Sequence, residues 1–143
     1  MPPPRGRPIG LVLSSTAKVV GRAFGEALTA AGGAEHTWLI LLALTTRPVA
    51  NQRELAAAVG IQGATLTHHL NAMESDGLLT RSRDPENRRV HLVELTADGE
   101  AAFLRLRTAA VEFDRRLRGD LGDDDLGRVA EVLDRLRANV TEG

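Results

Sequence analysis

The chain has 143 residues, no cysteine, 43% hydrophobic side chains and a formal charge of −1. That length can bury a core unaided, and the missing thiols exclude a disulfide framework, a thiolate metal site and any thiol-oxidation switch. The near-neutral charge argues against a protein that coats nucleic acid through a general positive field. The longest apolar run, Trp38 to Leu44, is too short for a bilayer. The stretch Ile9 to Leu13 is too short and interrupted for a secretory signal. A cytoplasmic location without a membrane partner is therefore expected, and residues 1–8 read as a flexible arm. Positive charge is local: Arg81 to His91 holds four arginines against Asp84 and Glu86, whereas the last 47 residues carry 8 arginines and 11 acids.

From Ile9 to about Ala31, Leu13, Ala17, Val20, Phe24 and Leu28 recur at steps of three and four, which predicts an amphipathic helix. Gly32-Gly33 ends it. Thr37 to Thr45 is rich in Leu and Ala with few β-branched residues, so it reads as a buried helix closed by Pro48. Asn51-Gln-Arg-Glu54 has the capping-box pattern and opens a short helix, with Leu55 and Val59 inward, that stops at Gly60. After a turn at Ile61 to Gly63, a second helix runs to Ser75 with Leu66, Leu70 and Met73 on one face, terminated by Gly77. Two helices joined by such a turn form a helix-turn-helix signature. Two strands follow, Leu78 to Arg83 and Arg89 to Leu95, around Asp84-Pro-Glu-Asn87, whose Asp and Pro favour a type I turn. The hairpin reads as a wing, and the imperfect alternation of its second strand predicts a bend or a half-buried edge.

Thr96 then caps a long helix carrying Phe103, Leu106, Ala110, Phe113 and Leu117, and Asp123-Asp-Asp125 opens a last helix with Leu126, Val129, Leu133, Leu136 and Val140. Both stripes suit either intramolecular packing or a coiled-coil-like seam. Leu104, Val111 and Val132 add apolar surface beyond what a small winged domain covers, which favours a homodimer.

From Gln52 to Gly99 the chain resembles the MarR family of regulators. The residues that carry the likeness are Arg53-Glu-Leu-Ala-Ala-Ala-Val-Gly60, Ala64 to Arg81, Asp84-Pro-Glu-Asn-Arg-Arg89 and Val93-Glu-Leu-Thr-Ala-Asp-Gly99. The wing departs from the family pattern at Asn87, where an Asp usually precedes the arginine pair. An Asn cannot form a charged brace, so a looser or differently supported wing is expected.

The resemblance implies a mainly α (α+β) fold in one domain, residues 9–143. A winged helix-turn-helix would span about 37–96, with dimerisation helices at about 9–31 and 97–141. It further implies a ligand-responsive repressor, with a cleft for a small aromatic or lipophilic effector. Related recognition helices must lie roughly 34 Å apart, which calls for a palindromic operator with half-sites ~10 bp apart. An alternative is a winged-helix module that binds protein and no DNA. A metal sensor is less favoured, because His36, His68, His69 and His91 lack ligand spacing.

On the second helix of the motif, Gln62, Thr65, Thr67, His68 and Asn71 fall away from the apolar face and can offer donors and acceptors to double-stranded DNA. His69 sits nearer the apolar side and reads as packed. Arg83, Arg88 and Arg89 suit phosphates or a narrow minor groove, while Arg81 could equally brace the wing through a carboxylate. Arg22, His36, Trp38 and Phe103 are effector candidates by placement. No nucleophile elbow or phosphate loop is present, so no enzyme, cofactor or metal site is expected.

Overall fold

The computed structural model describes residues 5–141. Its elements in order are α1 (Ile9–Ala30), α2 (Glu35–Thr46), β1 (Val49–Asn51), α3 (Gln52–Val59), α4 (Gly63–Ser75), β2 (Leu79–Arg83), β3 (His91–Leu95), α5 (Ala97–Arg118) and α6 (Asp123–Thr141). Two compact units divide within α5, one up to Ala110 and the other from Val111. No single helix among the described residues is long and apolar enough to cross a membrane.

Local signals set the helix ends of the first unit. The Pro8 carbonyl accepts from Leu11 N–H at 3.1 Å and Val12 N–H at 3.2 Å. Pro8 therefore belongs to the helix start; of the arm expected over residues 1–8, the first four lie outside the described residues. Gly77 has φ +77° and closes α4 in a Schellman motif, in which Leu78 N–H reaches the Met73 carbonyl and Gly77 N–H that of Glu74, both at 3.0 Å. Asn51 caps α3 by accepting Glu54 N–H at 2.7 Å. Glu54 answers the Asn51 side-chain amide at 2.6 Å, a side-chain variant of the capping box.

The expected helix at Thr37–Thr45 is α2, and its apolarity on most sides follows from its position. It packs against α1, α3, α4 and β3, with Ile40, Leu41 and Leu44 fully buried. The core gathers Leu28 from α1, Leu55 from α3, Leu66, Leu70 and Met73 from α4, Leu79 and Val93 from the strands, and Ala102 and Leu106 from α5. Each fully buried leucine is worth about 1.5–3 kcal/mol in apolar transfer.

The sheet differs from the expected two-stranded hairpin. It has three antiparallel strands in the order β1-β3-β2, with Ala50 and Arg81 flanking Val93 on either side. β3 is therefore the middle strand and not an edge. Its irregular alternation reflects a strand paired on both sides, with Val93 buried and Leu92 and Leu95 half-buried. The tight turn also lies three residues later than expected. Val90 N–H closes on the Asn87 carbonyl at 2.9 Å, while the Asp84 carboxylate accepts Glu86 N–H at 2.9 Å, because Asp side chains readily bond their own backbone two residues on.

The sheet is locked to α5 through Thr96. Its hydroxyl donates to the Gly77 carbonyl at 2.6 Å and accepts Gly99 N–H at 3.0 Å. A Cβ on Gly99 would stand 2.0 Å from the Leu78 carbonyl oxygen, so only glycine fits there.

In the second unit, Gly119 (φ +55°) ends α5, donating its N–H to the Arg115 carbonyl at 3.1 Å. Arg118 pairs with Asp114 at 2.7 Å, and the three aspartates occupy the first turn of α6. α6 buries no residue. Of the stripe expected there, Val129, Leu133 and Val140 are exposed, and Leu117 on α5 is too.

Candidate nucleic-acid interface

Burying Leu66, Leu70 and Met73 turns the opposite side of α4 outward, where Thr65, His68 and Asn71 are exposed. Gln62 precedes the helix with its side chain in solvent, and its carbonyl accepts Leu66 N–H at 3.0 Å. Thr67 stands apart from this set. It is half-buried, donates to the Gly63 carbonyl at 3.0 Å and accepts from the Gln52 side-chain amide at 2.7 Å. Its single proton is thus committed within the first turn of α4, while its oxygen ties α4 to α3.

The wing carries Arg83, Arg88 and Arg89, all exposed. Arg83 donates through Nη1 to the Arg88 carbonyl at 3.1 Å, bracing the tip from within. Asn87 accepts Arg89 N–H on its side-chain oxygen at 3.2 Å. The wing at this position is therefore held by hydrogen-bonded backbone and not by a charged pair. Among the described residues the guanidinium groups of Arg88 and Arg89 have no ion-pair partner, so both are free to meet an anion.

Behind this surface runs a groove of about 710 Å³ between the start of α3, the first turn of α4 and the wing, lined by Gln52, Arg53, Gly63, Thr67, Arg89 and His91 among others. Of these, Gln52, Arg53 and His91 are absent from the residues that the sequence alone assigned to DNA contact. Arg53 and His91 stand 38 positions apart in the chain, and only the pairing of β1 with β3 unites them. The available signal was the capping box at Asn51, since a helix N-terminus with a neighbouring arginine favours phosphate.

Arg81 does brace the wing through a carboxylate. Its Nη2 reaches Glu74 Oε1 at 2.9 Å and its backbone N–H reaches Glu74 Oε2 at 3.0 Å. The same Nη2 donates to Asn71 Oδ1 at 2.6 Å. Hydrogen bonds from the Arg81 side chain, then from its backbone, hold the Glu74 carboxyl below the usual carboxylate range.

Arg22 lines an open groove of about 570 Å³ between α1 and α2 with Glu26, Thr29 and Glu35. Trp38 stacks on Phe103, centroids 5.4 Å apart and planes 4° apart. His36 stacks on His69 at 3.7 Å, which explains the half-buried position of His69. Burial, then the neighbouring His69 and His68 imidazoles, lower the pKa of His36. Three histidines thus meet where their spacing gave no hint of it. Among the described residues no three His, Cys, Asp or Glu side chains are grouped to hold a metal ion.

A polar helix beside an arginine-tipped β-finger, both carried on one small core, defines a winged helix-turn-helix of the DNA-binding class. The MarR family model matches residues 35–91. The chain is 30% identical over 128 residues to the HTH-type transcriptional regulator YdgJ of Bacillus subtilis (strain 168), covering 90% of this chain and 76% of that one. It superposes on the repressor CouR bound to a 23-mer DNA duplex with a TM-score of 0.82 at 28% identity, covering 91% and 92% of the two chains. BpsR of Bordetella bronchiseptica shares the fold with a TM-score of 0.82 at 21% identity, over 96% and 98%. The chain belongs to the MarR family and is a DNA-binding transcriptional regulator.

Proposed function

We propose that the chain acts in the cytoplasm as a homodimeric repressor of a near-palindromic operator, without catalytic activity. In this reading residues 9–143 form one functional domain, and the helices at about 9–31 and 97–141 pair two copies. Each α4 enters a major groove through Gln62, Thr65, His68 and Asn71, while Arg83, Arg88 and Arg89 reach the flanking phosphates or minor groove. Thr67 contributes by holding the start of α4. The observation that carries the reading is the pair of guanidinium groups, Arg88 and Arg89, without an ion-pair partner among the described residues and beside the exposed polar face of α4. The exposed apolar stripe of α6 supports the pairing.

A small aromatic or lipophilic effector is proposed to act near Arg22, His36, Trp38 and Phe103. BpsR, a likeness of fold only, has its DNA binding regulated by 6-hydroxynicotinic acid. An effector that weakens DNA binding must itself bind DNA-loaded protein more weakly by the same factor.

The test is retardation of DNA upstream of the chain's own gene across a salt series. Phosphate neutralisation predicts a linear fall of log affinity with log salt. Arg88→Ala with Arg89→Ala should abolish retardation at moderate salt, reduce the salt slope by about one per lost phosphate contact and leave the dimer intact. Normal binding by the double variant overturns the wing assignment. No retardation of any duplex at low salt favours a protein-binding module instead.

A further inference from the structure

The Arg81 network fixes more than the wing. Arg81 lies mid-strand in β2, opposite Val93 of the central strand, and its side chain is only 21% exposed. Glu74 holds it at three points: backbone N–H to Oε2 at 3.0 Å, Nε to Oε1 at 3.3 Å and Nη2 to Oε1 at 2.9 Å. A guanidinium clamped in this way cannot swing, and its second Nη2 hydrogen points at Asn71 Oδ1, 2.6 Å away. Arginine offers donors and no acceptor. The Asn71 amide must therefore turn its oxygen back toward β2, which leaves its NH2 group facing outward from an exposed residue.

That orientation has a chemical consequence for readout. An asparagine reads adenine by donating to N7 while accepting from N6–H, which needs both ends of the amide. Arg81 takes one lone pair of the oxygen and holds the oxygen toward β2, so Asn71 presents its two donors outward with the acceptor turned away from them. The edges that match best are guanine, through O6 and N7, and thymine, through O4; adenine offers N7 alone, beside an N6–H2 donor that would then meet no acceptor.

We propose that Arg81 is a positioning residue that sets Asn71 as a donor-only reader, so that the base pair under Asn71 is chosen as guanine or thymine and bidentate adenine recognition is refused. This rests on the reading above that the outer face of α4 meets the bases.

The test is selection of bound duplexes from a random library by the full-length chain and its variants. The native chain should show, at one position of each half-site, a guanine or thymine preference that Asn71→Ala erases. Arg81→Met frees the amide to turn, and adenine should gain about tenfold at that position alone, one good bidentate pair being worth roughly that factor or more. Arg81→Lys, which keeps a donor toward Glu74 and Asn71, should restore the native preference. If Arg81→Met fails to fold, Asn71→Asp decides: it keeps the Arg81 partner, removes both amide donors and should erase the preference.

A uniform loss of affinity in Arg81→Met with an unchanged sequence profile overturns the inference, and so does an Asn71→Asp variant with the native profile. Thr65→Ala and His68→Ala probe the same face outside the network. If they alter binding while the Arg81 variants leave the profile untouched, only this inference fails. If they and Asn71→Ala all bind as the native chain does, α4 is not the reading element, and both readings fall.

Discussion

The two compact units carry apolar stripes of similar helical spacing and dispose of them in opposite ways. Up to Ala110, every element from α1 to α5 and every strand sends at least one residue into a common core, and nine of the large side chains there are under 2% exposed. From Val111 onward the pattern is equally regular, yet α6 buries nothing, and Val129, Val132 and Leu133 stand 53%, 46% and 39% exposed. A stripe with step three and four states only that a helix has an apolar side. It does not say whether that side meets its own chain or a second copy.

Four measurements break or sharpen this contrast. The largest effect belongs to the core: Leu70→Ala should cost about 3 kcal/mol in chemical denaturation, from lost transfer energy and the cavity left behind. A cost below about 1 kcal/mol would mean that the first unit is not packed as described. Next is the junction of sheet and α5. Gly99→Ala puts a methyl group 2.0 Å from the Leu78 carbonyl oxygen and 2.6 Å from a Leu95 methyl group. Overpacking of this kind should destabilise by about 2–3 kcal/mol, read in the same assay.

On the other side of the contrast, Leu133→Asp should leave helicity by circular dichroism unchanged while raising the dimer dissociation constant about tenfold, roughly 1.4 kcal/mol. Sedimentation equilibrium reads this directly; unaltered assembly would show that the α6 stripe is not the pairing surface. The smallest effect is a pH dependence. His36 has a folded pKa below its ordinary value near 6.5, so in acid the unfolded chain takes up its proton first. Stability is therefore full above about 6.5 and declines as pH falls below it. His36→Gln should flatten that decline, and an unchanged acid limb would assign it to other groups.

Much of the recognition unit was legible because its signals are local. The Asn51 cap, the Gly60 and Gly77 stops and the Thr96–Gly99 closure each depend on residues a few positions apart, and each stands where the spacing placed it. β1 was not legible. Three residues, Val49 to Asn51, have no periodicity of their own and become a strand only by pairing with Leu92, Val93 and Glu94. The wing turn slipped because Asp84-Pro85 satisfies a turn rule locally, while the pairing of Arg83 with His91 sets where the chain must close.

The sequence by itself determined the helices, their caps, the lack of thiol chemistry and the polar face of α4, since these follow from neighbours along the chain and from the 3.6-residue repeat. Tertiary structure alone decided that β3 is central, that Arg53 shares a groove with His91, that His36 lies on His69, and that Arg81 commits the oxygen of Asn71. Each of these joins residues remote in the chain, through directional hydrogen bonds or ring contacts that no local periodicity encodes.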